Sequence, residues 1–360
     1  RASPQGPTEV RRAAEAQRRL DHERTVNADR YTFRGVAERY IKAHRSSWKN
    51  PKHGAQWEST ITTYAYPHIG DLPVDSIDTD DILRALEPIW QTKTETATRV
   101  RQRIEAILDY AAARKLRSKE NPARWRGHLD KLLPKPTKVA KKAHHPALPH
   151  DRIGSFMEAL RDRSGVSALA LEFAILTAAR TGEVMGAKWP EINFKARTWT
   201  IPAERMKAEK EHRIPLTDRA VSILKEAQTL PTDDAGYVFP GQREGKTLSN
   251  NAFLALLKDM DAESPWRDAN GNRITAHGFR STFRDWAGES TAFAREVIEQ
   301  AMAHRLKDKA EAAYARGDLF NKRAKLMQAW TDRCSTQDTD SEKVTLIGGT
   351  TAKEPQSGRG

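Results

Sequence analysis

Between Leu132 and Pro149 the chain reads LLPKPTKVAKKAHHPALP, with four prolines, four lysines and no acidic residue. Proline lacks the backbone N–H that helices and sheet interiors need, so neither continues through this stretch, and the sequence divides into two bodies that must each bury a core. At 360 residues the chain is long enough for two ordinary domains, and 38% hydrophobic residues fill both cores despite 30% charged ones. The expected divisions are 1–30, a helical body over 31–130, a basic linker over 131–150, a second body over 151–334 and a disordered tail over 335–360, which is polar and without periodicity.

The chain begins at Arg1, not methionine, and Thr8 to Arg24 has helical composition with little apolar face. This segment reads as the trailing helix of a front domain, or as a linker. In the first body Thr32 is placed to cap a helix bearing Phe33, Val36, Ala37, Tyr40 and Ile41, and Asn50-Pro51 opens a second with Trp57, Ile61 and Tyr64. Pro67, Gly70 and Pro73 mark a loop; Asp78 or Thr79 opens a third helix, and Thr94 to Lys115 forms a longer one. Arg99, Arg101 and Arg103 on that last helix are candidates for a phosphate-contacting face, with a plain solvated face as the alternative reading.

The second body mixes both periodicities. Asp151 to Arg161, Ser167 to Ala179, Ser249 to Asp261, His277 to Gly288, Ala292 to Met302, Lys309 to Arg316 and Leu319 to Arg333 read as helices. Thr198 to Ile201 and His212 to Leu216 read as strands framing a charged turn, Glu204 to Glu211. The fold class is therefore mainly α with a small β-sheet.

A formal net charge of +13 and a pI of about 9.7 spread excess Lys and Arg over the surface and make nucleic acid the leading partner. Lys138, Lys141 and Lys142 in the linker suit the backbone of a duplex. The single cysteine, Cys334, excludes an internal disulfide and a cysteine-built zinc site. No apolar run reaches the roughly eighteen residues of a membrane helix and no secretory signal opens the chain, so a cytoplasmic, nucleoid-associated location is expected.

Three short segments carry candidate chemistry. Arg180 and Glu183 stand three apart where an apolar helix ends, so the arginine is either anchored by the carboxylate or used on a ligand. His277 and Arg280 are also three apart and share a helical face able to converge on one anion, against the plainer reading of a capping histidine and a surface arginine. His304 precedes Tyr314 by ten residues; taken alone, such a tyrosine is an ordinary aromatic.

Taken in order, Arg180, a lysine in the β turn, His277, Arg280, His304 and Tyr314 resemble the tyrosine recombinase (phage integrase) family across nearly the whole chain. HGFRSTFRDWA and AHRLKDKAEAAYARGDLFNKRAKLMQAW look like the prophage-type integrases that carry an arm-binding domain in front, which would make residues 1–30 its remnant. The resemblance implies a helical core-binding domain followed by a mixed α+β catalytic domain, and site-specific DNA recombination for integration or excision.

It further implies that Tyr314 attacks a DNA phosphorus to leave a 3′-phosphotyrosine, with Arg180 and Arg280 on the non-bridging oxygens. His277 would take or orient the phenolic proton, Lys207, chosen over Lys210 on its spacing to the second strand, would protonate the leaving 5′ oxygen, and His304 would donate to the phosphate. Glu183 supports Arg180. No cofactor and no metal are implied. The implied partners are attachment-site DNA, a homotetramer on that DNA, and possible DNA-bending and directionality factors. Rival readings are a topoisomerase or nicking enzyme using the same tyrosine chemistry, and a DNA-binding regulator that kept the fold and lost the activity. The apolar face after Tyr314, with Leu326, Met327 and Trp330, would dock on a neighbouring subunit or pack on its own core.

Overall fold

The computed structural model describes residues 31–48, 51–140, 145–231, 235–249, 251–304 and 317–336. The expected front helix, the Lys309 to Arg316 helix with Tyr314, and most of the tail lie outside the described residues. The chain separates into two compact units that divide between Ala143 and His144.

The first unit is helical: α1 (Phe33–His44), α2 (Pro51–Tyr64), α3 (Thr79–Trp90) and α4 (Thr94–Ala113). Thr32 caps α1 by accepting from the Gly35 N–H at 3.2 Å. Asp78 opens α3 with a reciprocal box, its carboxylate accepting from Asp81 N at 3.1 Å while the Asp81 carboxylate accepts from Asp78 N at 3.0 Å. Such a cap is worth about 1 kcal/mol. The loop expected at Pro67 begins instead with one helical turn, Tyr66–Ile69, because Pro67 sits at its start, where a missing N–H costs nothing.

Phe33, Val36, Ile61, Ile82, Leu86, Val100, Ile104 and Leu108 are fully buried and make a single core from the apolar stripes of all four helices. The first half of the linker belongs to this unit: Leu133 is buried in its core, and Trp90 donates its indole N–H to the Pro134 carbonyl at 2.9 Å.

The second unit is built around α6 (Val166–Thr177), which is buried on nearly every side and therefore shows no amphipathic stripe. Around it stand α5 (Ile153–Arg161), the short α7 (Thr181–Met185), α8 (Asp218–Ala227), α9 (Ala252–Glu263), α10 (Gly278–Glu289), α11 (Arg295–Ala301) and α12 (Phe320–Arg333). An antiparallel sheet ordered β1-β2-β3 comprises Ile192–Asn193, Thr198–Ile201 and His212–Pro215. The two anticipated strands pair with Trp199 opposite Ile214 and Ile201 opposite His212; β1 and α8 were not anticipated, the former because two residues carry no readable period.

One buried carboxylate ties three elements of this unit together. Glu172, 2% exposed, accepts from Arg161 at 2.8 Å and from Arg219 at 2.9 and 2.6 Å. Of the two readings of α12, packing on its own core holds. Trp330 is fully buried, packs edge-on to Phe283 and at a tilt to Trp286, and donates its indole N–H to the Ile175 carbonyl of α6 at 2.9 Å. Truncating such a side chain costs about 3–5 kcal/mol. No helix among the described residues is long and apolar enough to cross a membrane.

Candidate functional site

The site begins where α6 stops. Ala178 adopts the left-handed conformation (φ 48°), which ends the helix and frees the chain to place Arg180 at the start of α7. Glu183, on the first turn of α7 and 6% exposed, accepts from the Arg180 backbone N–H at 2.8 Å and from its Nη1 at 2.7 Å. The carboxylate thus fixes both the turn and the guanidinium, the anchoring that the three-residue spacing suggested. The second arm, Nη2, donates to the Ala303 carbonyl at 3.2 Å.

Arg280 arrives from α10 and is 5% exposed. It donates through Nη1 to the Ala178 carbonyl and through Nη2 to the Met302 carbonyl at 2.6 Å. Burial, helped by the neighbouring charge of Arg180, pulls its guanidinium down to about 10, which still leaves it cationic near neutrality. The two arginines are therefore hung from the consecutive carbonyls of Met302 and Ala303, just past the end of α11, where Ala303 again takes a left-handed conformation (φ 50°). With Glu183 paired to Arg180, the two guanidiniums on this loop still keep a net positive charge, which favours a bound anion.

His304 completes this loop. Its Nε2 accepts from Arg280 Nη2 at 3.2 Å, and its Nδ1 lies 2.7 Å from Glu299 Oε2. An arginine can only donate, so this geometry requires the neutral ring with its proton on Nδ1, given to Glu299. Burial lowers the ring's pKa, the Glu299 hydrogen bond works against that, and the charges of Arg280 and Arg180 add to the lowering.

His277 sits at the N-terminus of α10, open to solvent on one side and with its ring packed edge-on to His145 at 4.5 Å between centroids. Burial first, then His145, Arg280, Arg180 and His304, hold its pKa below the ordinary histidine value. The segment from His145, read in the sequence as linker, is bound to α10 instead. Thr275 N donates to the Pro146 carbonyl at 3.1 Å, and Thr282 Oγ1 donates to the Leu148 carbonyl at 2.7 Å. Gly278 permits this approach, since a Cβ there would overlap the Pro146 carbonyl.

Lys207 and Lys210 are both exposed on the turn between β2 and β3. Ahead of Lys207, Arg205 donates through Nη2 to the Glu183 carbonyl at 2.5 Å and pairs with Glu191, tying the base of the turn to α7. Behind the turn, His212 on β3 is partly buried and drops to about 4, through burial first and then the charge of Arg323. Sequence reasoning missed Arg205, Glu299, His145 and His212.

The proposed DNA contacts divide. Arg101 and Arg103, expected on a phosphate-facing surface, are each 6% exposed and turn inward. Arg101 donates to the Ala123 carbonyl at 2.7 Å and pairs with Glu105, while Arg103 donates to the Gln56 carbonyl at 2.6 Å. Their long stems let the charged heads reach internal carbonyls, so both arginines staple the fold. Arg99 is exposed and paired with Glu95, Lys138 is exposed, and Lys141 and Lys142 lie outside the described residues. A different basic surface emerges in this unit: a cavity of about 550 Å³ lined by Tyr31, Arg39, Lys42, Tyr110 and Arg114, with the Arg114 guanidinium 5.2 Å above the Tyr110 ring.

Residues 33–128 match the phage integrase central domain, and residues 146–319 match the phage integrase family. Among curated proteins, prophage integrase IntZ of Escherichia coli is 30% identical over 83% of this chain and 70% of its own length. Prophage integrase IntA of the same organism is 29% identical over 88% and 75%, and the integrase of Enterobacteria phage P4 is 27% identical over 86% and 70%. Similar solved structures are a lambda integrase tetramer bound to a Holliday junction (TM-score 0.61, 18% identity, 83% of this chain and 88% of that one) and the Tn1549 transposon integrase with circular intermediate DNA (TM-score 0.58, 14% identity, 79% and 98%).

Proposed function

The chain belongs to the phage integrase family, and we propose that its second unit cuts and rejoins attachment-site DNA through Tyr314 during integration or excision of a mobile element. Within that family the chain is a tyrosine site-specific recombinase. The observation that carries the assignment of its site is the suspension of Arg180 and Arg280 from adjacent carbonyls, Ala303 and Met302, with His304 hydrogen-bonded to Arg280.

A phosphodiester entering this site meets the two guanidiniums, which neutralise its non-bridging oxygens as charge builds on them. The Tyr314 phenolic oxygen attacks phosphorus, and the bond from phosphorus to the 5′ oxygen breaks. His277, neutral because its pKa is held low, accepts or steers the phenolic proton. Lys207 gives a proton to the departing 5′ oxygen. His304 donates to a phosphate oxygen only after its Nε2, an acceptor from Arg280 in the free protein, takes up a proton. The products are a 3′-phosphotyrosine and a free 5′ hydroxyl. Attack by the 5′ hydroxyl of another strand reverses each step, so bond energy is conserved without ATP.

The cavity lined by Arg39, Lys42 and Arg114, together with Arg99 and the linker lysines Lys138, Lys141 and Lys142, supplies phosphate contacts in place of the buried Arg101 and Arg103. Exchange between two duplexes calls for four copies on DNA, the assembly in which lambda integrase has been solved on a Holliday junction. DNA-bending and directionality factors, and action on the nucleoid in the cytoplasm, fit the same role.

The test is covalent trapping: protein is mixed with fragmented source-genome DNA, denatured in detergent, and the DNA attached to protein is recovered. Adducts from the wild type and none from Tyr314→Phe support the nucleophile, and sequencing them identifies the target. Equal adducts from both proteins would move the nucleophile elsewhere, and none from either would favour a DNA-binding regulator.

A further inference from the structure

The turn that carries Lys207 is exposed, so the position of its ammonium group depends on what holds the two ends of the turn. The front end is fixed by Arg205 on the Glu183 carbonyl. The rear end is fixed by Asp318. Its Oδ2 accepts from Arg213 of β3 through Nε at 2.9 Å and Nη2 at 2.7 Å, and lies 3.1 Å from Arg323 Nη2. Arg323, on the first turn of α12 and 1% exposed, also donates through Nε to the Asp318 carbonyl at 2.6 Å and through Nη1 to the Arg213 carbonyl at 2.5 Å. The Phe320 ring packs near both guanidiniums, 4.9 Å from that of Arg213 and 5.7 Å from that of Arg323.

We infer that Asp318 is a positioning residue for the hairpin lysine: gripped by Arg213 and Arg323, it locks β3 to α12 and so sets where the Lys207 turn stands over the two-arginine site. A carboxylate suits this task because it can receive a forked arginine from the strand and a second arginine from the helix at once. A buried arginine left without its carboxylate would be costly, which explains the sharing of one anion between them. General acid catalysis is sensitive to such placement, since a shift of about 1 Å can cost on the order of a hundredfold in rate.

The inference rests on Lys207 as the general acid, and the experiment separates the two claims. Arg213→Gln, which leaves the Arg323–Asp318 pair in place, and Asp318→Asn, which keeps the side chain's shape, are compared with wild type and Lys207→Ala in single-turnover cleavage of the target duplex recovered by trapping. Each protein is assayed on ordinary DNA and on DNA with sulfur in place of the bridging 5′ oxygen, whose thiolate leaves without needing a proton. The expected result is a loss of about tenfold or more for both clamp variants on ordinary DNA, with wild-type rates restored on the sulfur substrate and unchanged DNA affinity. If Lys207→Ala is rescued by sulfur while the clamp variants are not, Asp318 does not act through the lysine and the inference falls alone. Wild-type rates of both clamp variants on ordinary DNA would also overturn it. If Lys207→Ala is not rescued, the lysine assignment falls and takes the inference with it.

Discussion

Arg280 and His304 share a hydrogen bond, Nη2 to Nε2 at 3.2 Å, while the far nitrogen of the same imidazole is held by Glu299 at 2.7 Å. The pair links α10 to the loop after α11, and it orients a permanent charge beside a neutral ring. A chain of this kind, guanidinium to imidazole to carboxylate, fixes the tautomer as well as the position.

Arg280→Lys tests that arrangement. A lysine keeps the charge but cannot span the Ala178 and Met302 carbonyls and His304 together, because a single ammonium has no planar fork. Cleavage is expected to fall by about a hundredfold or more, with DNA affinity nearly unchanged, since the loss lies in the transition state. Single-turnover cleavage and equilibrium binding of one DNA duplex measure the two quantities. A cleavage rate within threefold of wild type would remove Arg280 from charge stabilisation.

His212 gives the protein a pH-dependent stability whose sign is fixed. Its folded pKa, about 4, lies below the unfolded value of 6.5, so the folded state keeps this ring neutral where the unfolded chain already binds a proton. Above pH 6.5 both states are neutral and the full stability is present. As pH falls from 6.5 to about 4 the difference erodes, by on the order of 3 kcal/mol for this group, and below 4 it changes no further. Urea unfolding at pH 7 and pH 4.5 should show a smaller acid loss for His212→Gln than for wild type. An identical loss in both would assign the acid sensitivity to other groups.

Spacing within one helical turn made Arg180 with Glu183, and His277 with Arg280, legible in the sequence, because three residues place two side chains on a common face. Strands β2 and β3 were legible from their alternation and the charged turn between them. Arg205 and His145 were not, since each enters the site through a contact between distant segments, such as Thr282 on the Leu148 carbonyl or Arg205 on the Glu183 carbonyl. Glu299 stands only five residues before His304, but α11 ends and Ala303 turns left-handed between them, so no helical spacing pairs the two. Arg101 and Arg103 misled for a related reason. Their charge suggests an outward face, yet the carbonyls of Ala123 and Gln56 that draw them inward belong to segments that periodicity along α4 cannot place. His212 sits on a strand with no neighbour in sequence to announce three arginines gathered from α12, α7 and α10.

The same division between buried and exposed arginines predicts two opposite phenotypes within the first unit. Arg103 is held against the Gln56 carbonyl and lies 5.2 Å from the Trp57 ring, so Arg103→Ala removes a charge-assisted hydrogen bond and leaves a gap beside the indole. It should lower thermal stability, with a cost of about 1–3 kcal/mol, while the salt dependence of DNA binding keeps its slope. Lys42 and Arg114 border the basic cavity from the ends of α1 and α4 and are exposed. Lys42→Ala and Arg114→Ala should leave the melting temperature within a degree or two, weaken DNA binding across all sequences, and each reduce the slope of log affinity against log salt by about 1. Thermal melts and binding titrations at several salt concentrations decide the matter. If Arg103→Ala shifts the salt slope and Arg114→Ala shifts only the melt, the phosphate-facing side of this unit is the face of α4 that carries Arg99 rather than the cavity at its end.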